Sequence, residues 1–287
     1  MNDFISSYFS RIGLIEHIAP TVSIDTLKKL CIQHSTNIPF ENIDVLLKRD
    51  IRLDALSLEE KLVNAHRGGY CYEQNGLLEL ILSDIGFTVR SLLGRVLLSE
   101  PKSPPPRTHR LLLVELNNQN WIVDIGFGGN TPTAPILLQP GILQETPHNI
   151  YRFIYDNNNW TLQINLHDNW QSMYQFDLSH QYESDHFMAN FLMAHWEKSH
   201  FLDGLLMSRH LADGGKITLN NFAFTHRSKD HIIQKVELPN VSKLYEVIET
   251  RFGLGVNDER HGFSEEELSS IMHNIIDKKS NNQSIQS

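Results

Sequence analysis

The spacing of apolar positions divides the chain into a helical part, a strand-rich part and a mixed part. Residues 1–90 carry apolar side chains at the spacing of amphipathic helices, separated by polar and proline-containing turns. Ser23 or Asp25 begins one of these helices, and Cys31 on its apolar face is expected to be a core residue. A later helix opens at Cys71, after two glycines. We therefore expect residues 1–90 to form a small helical bundle that carries Cys71.

Apolar positions alternate from about residue 87 onward, which is the spacing of half-buried strands. Two hairpins are predicted in this part, one with its turn at 117–120 and one with its turn at 156–159. Several antiparallel strands with short connections favour a barrel or a curled sheet. This second unit is predicted to span residues 91–182.

Helical spacing returns in the last third of the chain. A helix is predicted over 185–196, followed by short strands and by two helices at 241–252 and 264–278. The simplest arrangement is a mixed α/β lid over residues 183–287 that includes an interdomain helix, with a disordered polar tail from Ser280. The expected fold class is α+β, with an N-terminal helical bundle, a central antiparallel β-barrel and a C-terminal mixed α/β lid.

Composition narrows the possible partners and the compartment. The 287 residues are 40% hydrophobic and 21% charged, which is ordinary for a globular protein. The net charge of −9 argues against a nucleic-acid partner, and no apolar run reaches the ~18 residues that a membrane span needs. Cys31 and Cys71 do not form the disulfide framework of a secreted protein, and no signal-peptide pattern opens the sequence. We therefore expect a cytoplasmic protein without a membrane partner.

Cys71 is the first candidate for chemistry. Gly68 and Gly69 precede it, and an apolar helical run follows, so its sulfur is predicted to lie at a helix N-terminus. The helix dipole and the unpaired N–H groups there favour an anion, and a thiolate is an anion. The competing interpretation is a small buried core cysteine, which is the commoner role of a single cysteine.

His109 and Asp124 supply a candidate base and a candidate orienting group. His109 enters the first strand of the predicted 117–120 hairpin and Asp124 leaves the second, so antiparallel pairing brings the two positions together. With Cys71 they would make a triad of the cysteine-protease type, in which the imidazole takes the thiol proton and the carboxylate holds the ring. Taken singly, His109 is also compatible with a surface histidine and Asp124 with a turn residue.

Three further features accompany these candidates. Arg67, beside the cysteine loop, is costly to bury without a carboxylate, and Glu41 is predicted to be its ion-pair partner. The loop Gly126-Phe127-Gly128-Gly129 lets a backbone approach a ligand, and its N–H groups are able to form an anion nest. No metal is expected.

These motifs together resemble the arylamine N-acetyltransferase family. The resemblance lies in five segments, in order and at family-like spacing, over the first two thirds of the chain. The segments are Ile38–Asn42 (IPFEN), Arg67–Asn75 (RGGYCYEQN), Gly94–Val96 (GRV), Thr108-His109 and Asp124–Gly129 (DIGFGG).

The resemblance implies an enzyme that moves an acetyl group from acetyl-coenzyme A to arylamines or arylhydrazines through an acetyl-cysteine, a ping-pong reaction of xenobiotic metabolism. It implies that the loop Gly126–Gly129 contacts the coenzyme A pyrophosphate, and that Phe127 and Phe40 contact the aryl ring. Residues 194–201 depart from the family pattern, and in that segment only Ser199 and Phe201 match clearly. A coenzyme contact is therefore expected of Phe201 alone in that segment.

Three alternatives remain open at this level. A transglutaminase or a cysteine peptidase uses the same order of Cys, His and Asp with a peptide acyl donor. An amide synthase that closes a macrolactam is a second possibility, and a catalytically silent binding protein on the same scaffold is a third.

Overall fold

An N-terminal group of helices forms the first layer of the fold. The computed structural model describes residues 3–14, 20–166, 168–230 and 232–286. Five helices and one short strand make up this layer: α1 (Asp3–Arg11), α2 (Ile24–Asn37), β1 (Phe40–Glu41), α3 (Ile43–Leu46), α4 (Ala55–Leu58) and α5 (Cys71–Ile85). Helices α1, α2, α4 and α5 contribute buried side chains to one apolar core with Cys31, which is fully buried as predicted, whereas α3 packs in neighbouring clusters.

The ends of these helices follow their capping residues. The Ser23 side chain accepts from Thr26 N and begins α2, and Gly86 ends α5 in the left-handed conformation at φ 104°. Helix α4 begins at Ala55, because the Asp54 carboxylate accepts from Ser57 N and caps the first turn. It continues as a π-helical turn over Glu59–Asn64.

The central part of the chain forms an eight-stranded antiparallel sheet that curls into a nearly closed barrel. Its strands are β2 (Thr88–Val96), β3 (Arg107–Leu116), β4 (Gln119–Val123), β5 (Ile136–Leu137), β6 (Gln144–Glu145), β7 (Ile150–Asp156), β8 (Asn159–Leu166) and β9 (Asn169–Phe176). The order across the sheet is β5-β4-β3-β2-β9-β8-β7-β6. Both predicted hairpins are present, as β3–β4 and β7–β8.

The last third of the chain forms a second antiparallel sheet with two helices packed on it. Helix α6 (Glu183–His195) leads to the strands β10 (Leu206–His210), β11 (Lys216–Asn220), β12 (Ala223–Arg227) and β13 (Ile233–Glu237), and then to the helices α7 (Val241–Phe252) and α8 (Glu265–Gln286). The sheet order is β1-β10-β11-β12-β13, so β1 from the N-terminal layer pairs with β10. The α+β class predicted from the sequence is confirmed.

Two features of this last third differ from the sequence-based expectation or go beyond it. The sequence predicts a disordered tail from Ser280, but α8 continues through it to Gln286. Helix α6 buries its small and polar side, including Ala189 and Asn190, and exposes Phe187 and Met188.

None of the helices in the described ranges combines the length and the apolar character that a membrane crossing requires.

Candidate active site

Cys71 occupies the first residue of α5. Tyr70 before it is extended, and the Glu73 carboxylate accepts from Tyr70 N at 3.1 Å, which fixes the start of the helix. The backbone N–H of Cys71 belongs to the first helical turn and therefore has no partner one turn earlier. The sulfur lies 3.9 Å from Thr108 O, at the beginning of β3. The helix start and the barrel thus meet at the cysteine.

His109 and Asp124 lie side by side at the end of the β3–β4 hairpin. His109 Nε2 is 2.8 Å from Asp124 Oδ2, and both side chains are buried, at 3% and 0% exposure. The last pair between β3 and β4 is Leu112 with Val123, so His109, three residues before it, and Asp124, one residue after it, lie at the same end of the hairpin. Since Asp124 engages Nε2, the other ring nitrogen is the one left for the sulfur of Cys71.

Opposite charges decide the ionisation of this pair. Burial by itself lowers the pKa of His109, but the charge and hydrogen bond of Asp124, together with Cys71, raise it to about 10. Burial raises the pKa of Asp124, but His109 and the donors around the carboxylate lower it below its ordinary value. The site therefore favours an imidazolium beside a carboxylate.

Asn75 is a part of this site to which the sequence motifs assign no role. Its amide nitrogen donates to Asp124 Oδ1 at 3.0 Å and to Arg110 O at 2.6 Å, and its oxygen accepts from Ile125 N at 3.0 Å. Asn75 comes four residues after Cys71, so the two share one face of α5. That spacing was the available signal that Asn75 faces the same site as the cysteine.

The predicted ion pair between Arg67 and Glu41 is present. Arg67 Nη2 is 2.7 Å from Glu41 Oε1 and 3.1 Å from Asp44 Oδ1, and the guanidinium is fully buried. The pair belongs to a larger buried network, because Lys61 lies 2.7 Å from Asp44 and 2.6 Å from Glu73. The π-helical turn carries Lys61 into this network. The charges beneath the cysteine loop are therefore paired with each other.

One cavity of about 410 Å³ is lined by most of the sequence-predicted residues. Cys71 and His109 line it, but Arg67, Glu41 and Asp124 do not. The remaining predicted residues on its wall are Phe40, Gly126, Phe127, Gly128, Gly129 and Phe201. The Phe127 ring lies edge-on to His109 with 4.9 Å between centroids, and Phe40 lies 6.1 Å from Phe201. The cavity is thus aromatic beside a thiol and an imidazole.

The third part of the chain completes the cavity with residues that no motif indicated. His200, Ser208 and Thr218 line it from the segment after α6 and from strands β10 and β11. These positions carry no local signal, because only the packing of the second sheet against the barrel brings them to the cysteine.

A second cavity of about 340 Å³ adjoins the first and shares Phe127, Gly129 and Thr218 with it. Lys216 and Arg227 line this second cavity, and Lys216 Nζ donates to Gly129 O at 2.5 Å. Burial and the neighbouring Arg227 lower the pKa of Lys216 to about 8. The glycine loop therefore lies between the aromatic cavity and a cationic one.

The described ranges contain no group of three or more His, Cys, Asp and Glu side chains placed to hold a metal ion. The chemistry visible in the site is that of a buried cysteine next to an imidazole–carboxylate pair. Such a combination defines the class of thiol-dependent acyl-transfer enzymes.

Comparison with known proteins narrows that class. The model of an N-acetyltransferase family matches residues 23–261. An arylamine N-acetyltransferase of Escherichia coli K12 is 55% identical over 272 residues, which cover 95% of this chain and 96% of the relative. The chain belongs to the arylamine N-acetyltransferase family.

Solved structures agree with this assignment. The arylamine N-acetyltransferase of Salmonella typhimurium superposes with a TM-score of 0.92 at 54% identity, over 95% of this chain and 99% of that one. The Mycobacterium marinum arylamine N-acetyltransferase in complex with CoA gives a TM-score of 0.87 at 32% identity, over 93% and 98% of the two chains.

Proposed function

We propose that this protein transfers an acetyl group from acetyl-coenzyme A to arylamines or arylhydrazines, with Cys71, His109 and Asp124 as its catalytic residues. The observation that carries the proposal is the single cavity in which the Cys71 thiol and the His109 imidazole face an aromatic wall. The Asp124 carboxylate, whose Oδ2 lies 2.8 Å from His109 Nε2, orients the imidazole and stabilises its charged form. The names of the related proteins support the acyl donor and the acceptor class.

In the first half-reaction, the Cys71 thiolate attacks the thioester carbonyl of acetyl-coenzyme A. The carbon–sulfur bond to coenzyme A breaks, and the acetyl group stays on Cys71 as a new thioester. Coenzyme A leaves as a thiol with the proton that His109 held. The N–H of Cys71, at the start of α5, is the proposed donor to the oxyanion of the tetrahedral intermediate.

In the second half-reaction, the acceptor nitrogen attacks the acetyl-cysteine carbonyl. His109 takes a proton from the nitrogen, and Asp124 stabilises the imidazolium that forms. The bond from carbon to Cys71 Sγ breaks, the amide product leaves, and the thiolate–imidazolium pair is restored. His109 donates a proton in the first half-reaction and accepts one in the second, which is consistent with a ping-pong mechanism.

The two adjoining cavities suggest where each substrate binds. We assign the aryl ring of the acceptor to Phe40 and Phe127, which line the cavity beside the sulfur. We assign the coenzyme to the side of Gly126–Gly129 and Phe201, since the neighbouring Lys216 and Arg227 offer positive charge to its phosphates. Arg67 and Glu41 are assigned a supporting role beneath the cysteine loop.

The family membership favours acetyl transfer over the macrolactam-forming and peptide-directed alternatives.

We also propose a cytoplasmic location. Both cysteines are free thiols, and a nucleophilic thiol stays reduced in that compartment.

Intact-mass measurement tests the proposal directly. After mixing with acetyl-coenzyme A, the protein is expected to gain the mass of one acetyl group and to lose it when an aromatic amine is added. Cys71→Ser is expected to abolish both changes, whereas Cys31→Ser should retain them because Cys31 is buried in the helical core. A Cys71→Ser protein that still turns over acetyl-coenzyme A at the normal rate would refute the assignment.

A further inference from the structure

Gln74 makes three hydrogen bonds in the first turn of the cysteine helix, and the proposed chemistry uses none of them. Its amide nitrogen donates to Pro39 O at 2.8 Å and to Gly69 O at 3.2 Å. Its oxygen lies 2.5 Å from His34 Nε2. The side chain is 1% exposed. Gln74 therefore joins two separate backbone segments and a histidine inside the core.

A relay of buried side chains fixes the orientation of this amide. Because the Gln74 oxygen is an acceptor, His34 Nε2 is the donor, and the other ring nitrogen then accepts from Tyr8 OH at 2.9 Å. Burial lowers the pKa of His34 to about 3, so the ring is neutral at physiological pH. The amide nitrogen of Gln74 is thereby directed at the two carbonyls.

The two carbonyls belong to the two segments that carry Phe40 and Cys71 to the catalytic cavity. Pro39 precedes Phe40, whose ring lines the cavity, and Gly69 lies two residues before Cys71. The segments also meet directly, since Phe40 and Gly69 form a parallel bridge and Glu41 N donates to Gly69 O at 3.1 Å. Gln74 adds the side-chain contact that joins both segments to α5.

We propose that Gln74 is a positioning residue that sets the distance between the Phe40 wall and the Cys71 sulfur. The proposal rests on the proposed function, in which Phe40 contacts the aryl ring of the acceptor. Cys71 itself is also held by the helix start and by the cap from Glu73. Loss of the Gln74 amide therefore displaces the aromatic wall more than it displaces the nucleophile.

Deacetylation of the acetyl-enzyme by two acceptors tests this role. Aniline has an aromatic ring that would contact Phe40 in the proposed binding mode, whereas water has none. The ratio of the aniline rate to the water rate therefore measures how well the Phe40 ring is placed for the acceptor. Gln74→Met keeps the side-chain length and removes all three hydrogen bonds, and we expect the aniline-to-water rate ratio to fall about tenfold, which corresponds to about 1.4 kcal/mol. Gln33→Met on the neighbouring helix α2 is the matched control and should leave the ratio unchanged.

The outcomes separate this inference from the proposed function. If the wild-type protein forms no acetyl-cysteine, the proposed function fails. If Gln74→Met is acetylated normally and both rates fall equally or not at all, the positioning role fails. Should Gln74→Met not fold, Gln74→Asn replaces it, because its amide stays in the core but is one methylene too short to reach Pro39 O. The positioning role then predicts a lower aniline-to-water rate ratio for Gln74→Asn, and an unchanged ratio contradicts it.

Discussion

At the scale of single residues, the ionisation of His109 depends on a carboxylate from the other strand of its hairpin. The pKa of His109 is raised to about 10, so the stabilisation from its charged form is complete below its ordinary value near 6.5 and is lost as pH rises through about 10. The pKa of Asp124 is lowered, so its contribution is complete above its ordinary value and is lost as pH falls through the lowered one. The pair consequently stays charged across the neutral range.

Asp124→Asn is predicted to reduce the rate of Cys71 acetylation by roughly 10⁴-fold without unfolding the protein. An amide oxygen is still able to accept from Asn75 and from Gly126 N, as Asp124 Oδ1 does at 3.0 Å. Its NH₂ group, however, would point at His109 and could not stabilise an imidazolium. The burst of coenzyme A release measures the loss. A burst rate within a factor of three of the wild type would remove Asp124 from the catalytic residues.

At the scale of elements, the barrel hairpin and the helix α5 approach each other at one glycine. A Cβ atom on Gly126 would lie 2.8 Å from Cys71 Cα and 2.8 Å from Asn75 Nδ2, closer than side chains approach in folded proteins. The absence of a side chain at Gly126 is therefore what lets the end of β4 reach the first turn of the cysteine helix. This close approach delivers Asp124 to the site.

Gly126→Ala is predicted to destabilise the protein by about 2 kcal/mol, because the added methyl group forces α5 and the hairpin apart. Gly129→Ala in the same loop is the matched control, since its Cβ would meet Thr218 Cγ2 at an ordinary 3.4 Å. Urea denaturation of both variants measures the difference. Equal midpoints for the two variants would show that the close approach at Gly126 is not a packing constraint.

At the scale of the whole molecule, neutral histidines that are buried or half-buried occur in every layer. Burial is the main cause that lowers the pKa of His34 to about 3 and of His186 to about 4. His148 at the barrel and His210 in the second sheet are lowered for the same reason. In the unfolded chain each of these rings has an ordinary pKa near 6.5, so acid favours unfolding.

The contribution of these four histidines to stability is therefore predicted to be complete above pH 6.5 and to fall as pH drops below it. At pH 5, a ring that stays neutral in the folded state contributes a loss of about 2 kcal/mol. His34→Gln should consequently lose about that much less stability than the wild type between pH 7.5 and pH 5. Urea unfolding at the two pH values tests this, with His273→Gln on the exposed side of α8 as the control. The prediction is wrong if His34→Gln and the wild type lose the same stability.

The regular elements were largely predictable, because their signals are local. The β3–β4 and β7–β8 hairpins follow from alternation and turn residues, and α7 begins and ends at the predicted residues 241 and 252. Strand β10 was not predicted, since its residues become a strand through pairing with β11 on one side and β1 on the other. Two-residue strands such as β1 are too short for any periodicity to show.

The sequence by itself determined the α+β class, the family and the candidate residues Cys71, His109 and Asp124. Glycines, hairpin turns and motifs are local signals, because each consists of residues that are close together in the chain. Only the tertiary structure decided how those residues are supported. Asn75 on Asp124, Gln74 between Pro39 and Gly69, and the wall from β10 and β11 all join segments far apart in the chain. Such contacts depend on how packed layers bring distant backbone together, and no local pattern encodes that distance.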